Sequence, residues 1–192
     1  MKTFLLLCAV CLSFAAAGQV APLPMSETNG RVVYSLLIEA PGASQADLYG
    51  KALRWLAALP QIGNQATVHD AASGTLAARV GVVFVAQAGA GSMPCTLWRE
   101  VSIQVKEGRV RYEASDFTLQ YYVASAAALT APTAAQVRQH PLEEFADPTA
   151  ARYYTKDGQP RTWTASVLGA AREQTAAQGA SLRRALLTES NR

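Results

Sequence analysis

The chain has 192 residues, of which 50% are hydrophobic and 16% charged, with a formal net charge of +3. That balance excludes a polar disordered chain. The basic residues are scattered, with close groups only at Arg109/Arg111 and Arg183/Arg184, so the concentrated basic footprint of a nucleic-acid binder is missing and no nucleic-acid partner is expected.

The N-terminus has the three-part order of a secretory signal peptide. Met1-Lys2-Thr3 is a short basic start, residues 4–14 are apolar apart from Ser13, and Ala15-Ala16-Ala17-Gly18 supplies the small residues that a signal peptidase reads. The apolar run is too short to cross a bilayer, which takes about 20 residues. Cleavage is expected after Gly18, with Ala17 as the neighbouring option, and the protein is expected to be secreted or periplasmic. Cys8 and Cys11 follow Leu7 and Val10, whereas a lipidated cysteine needs a small residue before it, so a lipoprotein is not expected. Removing residues 1–18 leaves enough chain for one hydrophobic core and too little for two comfortable domains. It also leaves a single cysteine, Cys95. One cysteine forms no internal disulfide, and Cys95 reads as a small buried strand residue rather than a reactive thiol. No second stretch is long and apolar enough to span a membrane after signal cleavage.

Residues 19–30 have no period and read as a flexible lead. Residues 31–39 alternate, with Val32, Tyr34, Leu36 and Ile38 on one face, as in a strand with one buried side. Pro41-Gly42 ends it. Ser44, three residues before Asp47, opens a helix with a cap and an acid in the first turn. Tyr49, Leu53, Leu56 and Ala57 recur at helical spacing, flanked by Leu48, Ala52, Trp55 and Leu59, and the helix stops before Pro60. Residues 65–70 form a short strand, and Ala71-Ala72-Ser73-Gly74 a turn. Residues 75–87 form a longer strand with Leu76, Ala78, Val80, Val82, Phe84 and Ala86 on one face, while Val83 and Val85 make its second half apolar on both sides.

Residues 88–94 read as a Gly-rich loop. Residues 95–106 alternate again, with Cys95, Leu97, Val101, Ile103 and Val105 inward. Glu107-Gly108 makes a tight connection to the last strand, 109–123. There the apolar parity changes, from Val110, Tyr112 and Ala114 to Phe117, Leu119, Tyr121 and Val123. Period-2 geometry puts both sets on one face only if a residue is inserted, which predicts a bulge at Ser115-Asp116. Residues 124–161 read as an irregular connector, with one or two helical turns over 133–139. Residues 163–187 read as an Ala-rich helix with Val167, Leu168, Ala171, Leu182 and Leu186 as its apolar positions. The order β-α-β-β-β-β-α predicts one α+β domain over 31–187, a curved antiparallel sheet with its helices on one face.

Three segments resemble the domain-of-unknown-function family 4468, described as having a TBP-like fold. They are Asp47-Leu48-Tyr49 with Ala52, Trp55 and Leu56; Asp70 with Ser73-Gly74-Thr75-Leu76; and residues 105–112 with Asp116-Phe117. They lie within residues 31–123. The resemblance implies a TBP-like fold and occurrence behind bacterial signal peptides. It carries no activity and no catalytic residues, and the fold name does not imply DNA binding.

The search for chemistry yields little. His69 and His140 have no second ligand at a metal-binding spacing, so no metal and no cofactor are expected. Gly89-Ala90-Gly91-Ser92 has the glycines of a phosphate loop, but Met93-Pro94 and a strand follow where a helix should start. There is no nucleophile elbow. Glu143-Glu144 reads as a turn. Asp116, at the predicted bulge, reads as a local cap or a partner for Arg109 or Arg111. Tyr121-Tyr122 and Tyr153-Tyr154 are paired aromatics, and Trp98 falls on the polar face of its strand, to be covered by a loop or helix. With no catalytic residues assigned, the expected function is a non-enzymatic binding module for a partner protein or a small apolar ligand, with the ligand held between sheet and long helix. A structural or assembly module of the cell envelope is the alternative, and an enzyme the third.

Overall fold

The computed structural model describes residues 23–59, 68–89, 91–123 and 136–188. Six strands form one antiparallel sheet: β1 (Tyr34–Glu39), β2 (Val68–Asp70), β3 (Thr75–Ala88), β4 (Gly91–Lys106), β5 (Arg109–Val123) and β6 (Gln136–Pro141). Their order is β1-β5-β4-β3-β2, with β6 also on β5. Helix α1 (Gln45–Ala58) follows β1, and helix α2 (Thr162–Leu187) ends the fold. The expected α+β architecture is present, with one strand more than expected.

Alternation sets the layers. Leu76, Val80, Leu97, Ile103, Val110, Tyr112, Phe117 and Leu119 all point to the helix-covered face and are buried. Each such side chain contributes roughly 1.5–3 kcal/mol. Ser44 caps α1, its hydroxyl accepting from the Asp47 N–H at 3.2 Å. The centre of the buried stripe of α1 is Leu48, Ala52, Trp55 and Leu56, with Tyr49 and Leu53 at its margin and Ala57 exposed. The stripe is rotated from the expected one because the docked face is set by the sheet and α2 together. The Trp55 indole N–H donates to Ser181 at 3.2 Å and the Lys51 ammonium to the Leu186 carbonyl at 3.3 Å, tying the helices side by side. The apolar positions expected for α2, Val167, Leu168, Ala171, Leu182 and Leu186, are all buried.

The bulge is present. Trp98 pairs with Thr118 and Glu100 with Ser115, so Arg99 alone faces two residues, Asp116 and Phe117. Asp116 has φ +51°. The inserted residue returns Phe117, Leu119 and Tyr121 to the face already held by Tyr112 and Ala114. It also divides the outer edge of β5, which pairs with β1 over 109–114 and with β6 over 118–123.

Two sequence expectations are corrected. Residues 91–94 belong to β4, with Ala88 paired to Gly91; Gly89, at φ +62°, makes the connection tight. Pro94 is tolerated because the pairing of β4 with β5 runs from Cys95 to Lys106, so its missing N–H falls where β4 is an edge. The second concerns the connector. Residues 136–141 form β6 where a helical turn was expected, because the edge of β5 beyond the bulge offers unpaired backbone groups and β6 takes them. A 3-10 helix (Leu142–Phe145) follows, and Tyr121, His140, Phe145, Tyr153 and Trp163 pack ring against ring. The Tyr154 hydroxyl donates to the Phe145 carbonyl at 2.6 Å. Residues 65–67, and the first part of the helical turn expected at 133–139, lie outside the described residues.

Candidate functional site

The candidate site lies where α2 crosses β1 and β5. A cleft of about 320 Å³ opens there, lined among others by Tyr34, Leu36, Tyr112, Thr175, Gly179 and Arg183. Its volume falls at the lower end of the range for small-molecule sites, about 300–1,000 Å³. Gly179 is buried, and a Cβ built on it would come within 3.2 Å of Leu36. The glycine that weakens α2 as an isolated helix lets the helix approach the strand closely here.

Behind the cleft is a polar group in the core. Arg99 occupies an inward position of β4 and is 0% exposed. Its Nε donates to the Gln178 side-chain oxygen at 3.2 Å, and the Tyr112 hydroxyl approaches the same oxygen at 3.5 Å. Neither Nη1 nor Nη2 of Arg99 has a hydrogen-bond partner of acceptable geometry, and neither do the Tyr34 hydroxyl and Arg172 Nη2, all four atoms being buried. Burial raises the Tyr34 hydroxyl above its ordinary pKa, with the guanidinium groups of Arg172 and Arg99 pulling it the other way. Burial likewise raises Tyr112, against the pull of Arg99, and lowers Arg99 itself, with Tyr112 and Tyr34 opposing. Among the described residues, no carboxylate forms an ion pair with Arg99 or Arg172.

The residues singled out in the sequence fall elsewhere. Asp116 is exposed and pairs with Arg31, not with Arg109 or Arg111; the bulge turns it away from β5's own arginines. Cys95 is buried at 2% exposure, and burial pushes its thiol up. His69 is exposed on β2. His140 on β6 stacks on Tyr121 and bonds Glu144 at 2.9 Å, while Glu143 accepts from the Val32 N–H at 2.8 Å. Among the described residues, no three His, Cys, Asp or Glu side chains gather as a metal site would require. Trp98 is half-buried. It lies on the outer face of the sheet, its N–H donating to Gln120 at 2.8 Å and its ring beside the Arg79 guanidinium. Val83, Val85 and Tyr122 are more than half exposed on that same face. Arg99, Tyr34 and Gln178 were missed in the sequence. The signal for Arg99 was its parity, since it is the one charged residue at an inward position between Cys95 and Val105.

The fold and this geometry can be set beside known proteins. The family model described as a domain of unknown function (DUF4468) with TBP-like fold matches residues 34–120. Residues 34–120 are therefore similar to the DUF4468 family. The match runs from β1 to near the end of β5 and so contains the bulge, Arg99, Tyr34 and Tyr112, while α2 lies beyond it. Two solved structures are similar. A DUF4468 family protein from Bacteroides ovatus is 18% identical, with a TM-score of 0.57 over 88% of this chain and 93% of that one. A TBP-like protein from Parabacteroides distasonis is 16% identical, with a TM-score of 0.51 over 83% of this chain and 96% of that one. At these identities the likeness shows the fold alone, and it extends past the DUF4468 segment to most of the chain. A comparison with curated proteins gave no match.

Proposed function

We propose that this protein is an exported, non-enzymatic binding module that holds a small apolar ligand in the cleft between β1 and α2. The observation that carries the reading is the cleft itself, which is mostly apolar and has Tyr34, Tyr112 and Thr175 converging on it. Ligand sites combine an apolar lining with a few placed polar groups in this way. Export rests on the basic, apolar and small-residue order of residues 1–18. No helix of the described residues is long and apolar enough to cross a membrane. Native mass spectrometry of the protein purified from its own periplasm tests both parts. A polypeptide mass starting near Gln19, with a small molecule retained, is the expected result. A bare chain that also gains no mass from an added library of small apolar compounds counts against ligand binding, and a chain retaining Met1 in the membrane pellet counts against export.

A partner protein on the outer face of the sheet is the second reading, favoured by exposed Val83, Val85 and Tyr122 beside Trp98, since contiguous exposed apolar surface marks interaction sites. Val85→Asp leaves the cleft untouched and abolishes a partner complex in pull-downs from the native host on this reading. Unchanged recovery of that complex rejects it.

A further inference from the structure

Building on the cleft reading, we infer that the ligand carries a carboxylate, seated between Arg99, Arg172 and Tyr34, and that the site takes amphipathic monocarboxylates.

The argument begins with the charge on Arg99. A guanidinium stays protonated in proteins, so burial does not neutralise it as it would a lysine. Buried charges in folded proteins are paired, because an unpaired one keeps its desolvation penalty with nothing to offset it. Arg99 is fully buried, and among the described residues its hydrogen bond goes to the neutral Gln178 amide. Arg172 places a second guanidinium nitrogen nearby, also buried and unpartnered. Both act on the Tyr34 hydroxyl, which is itself unpartnered. Three guanidinium nitrogens and one hydroxyl in this part of the core are thus buried without an acceptor. The planar edge of a guanidinium fits a carboxylate in two parallel hydrogen bonds.

Tyr34 and Tyr112 connect this group to the cleft. Both line the cleft, and both have hydroxyls close enough to Arg99 to feel its field. A ligand entering between β1 and α2 therefore meets a mostly apolar lining, with Arg183 its one charged member, before it reaches the cationic group behind Tyr34 and Tyr112. That order selects a molecule with an apolar tail and one anionic head. It disfavours a free inorganic anion, which leaves the apolar walls unfilled, and a neutral alcohol, which leaves the charge unpaired.

Isothermal titration calorimetry of the purified protein with octanoate, 1-octanol and inorganic phosphate tests this. Octanoate is expected to bind, with 1-octanol at least tenfold weaker and phosphate giving no heat. Arg99→Met is expected to lose at least tenfold in octanoate affinity, to leave 1-octanol unchanged, and to raise the thermal midpoint of the ligand-free protein, because an apolar side chain replaces an uncompensated buried charge. If Arg99→Met does not fold, Arg172→Met, at a half-buried position, carries the same affinity test. Equal binding of octanoate and 1-octanol, unaffected by either arginine variant, overturns the carboxylate and leaves the cleft reading standing. Phosphate binding as tightly as octanoate overturns the amphipathic ligand. No binding of either octyl compound, with Gly179→Leu behaving as the parent protein, overturns the inference and the cleft reading together.

Discussion

The Trp98 indole lies in the space left by Gly81. The two residues are paired across β3 and β4, and a Cβ built on Gly81 would come within 2.9 Å of two ring carbons. A glycine that weakens a strand by itself is here covered by an aromatic neighbour, which also holds Arg79 and Gln120 in place. Gly81→Val lifts the ring off the sheet. Overpacking of this kind costs about 1–3 kcal/mol, while the strand preference of valine returns up to about 1 kcal/mol. The expected net loss is roughly 1 kcal/mol, read as a lower urea midpoint together with a red shift of tryptophan emission. A variant with unchanged emission shows that the indole does not rest on Gly81.

Asp116 sits at φ +51° in the bulge and pairs with Arg31 on the surface. The left-handed region costs an L-residue roughly 1–2 kcal/mol, and an exposed ion pair returns about 0–1 kcal/mol. Asp116→Gly is therefore expected to change stability by less than about 1 kcal/mol, whereas Asp116→Val loses at least about 1 kcal/mol because a β-branched side chain tolerates this backbone poorly. Denaturant titration of the pair checks the order. Deleting Asp116 is expected to do far more, since Phe117, Leu119 and Tyr121 would all change faces. A folded deletion variant would overturn the account of the bulge.

Gly108 forms the tip between β4 and β5 at φ +69°, and its N–H donates to the Ala43 carbonyl at 3.0 Å. Gly108→Val is expected to destabilise by at least about 1 kcal/mol. Nothing but the Ala40 carbonyl, at 3.8 Å, lies near the added Cβ, so the loss measures backbone conformation rather than a clash. An unchanged urea midpoint contradicts it.

Alkaline pH is expected to unfold the protein through its buried tyrosines. Burial raises Tyr34 and Tyr112 above the ordinary tyrosine value of about 10. Below that value both are neutral in the folded and unfolded chains, and their contribution is fully present. Above it the unfolded chain gives up its protons first, so stability falls as pH rises toward the folded values. Unfolding titrations between about pH 8 and 11 are expected to show that fall, and Tyr112→Phe is expected to reduce its slope. An identical slope in the variant shows that Tyr112 does not share in it.

The parity change in residues 109–123 was enough to place the bulge, because a period-2 strand has one way to keep two apolar sets on one face. The Glu107-Gly108 hairpin, the Ser44 cap and the apolar positions of α2 were legible for the same kind of reason, each depending on neighbours a few residues away. β6 was not legible, since the 136–141 segment has no strand pattern of its own and becomes one only when the far half of β5 offers it an edge. The rotation of the buried stripe on α1 was equally hidden, as it depends on two surfaces at once. The position of Arg99 could be read from its inward parity, but its consequence could not. Only the crossing of α2 over β1 and β5 brings Gln178 to that guanidinium and Arg172 to Tyr34. The local sequence determined which residues face inward, and the tertiary packing decided which of them meet, because side-chain direction is a property of one strand while a binding site is a property of several elements.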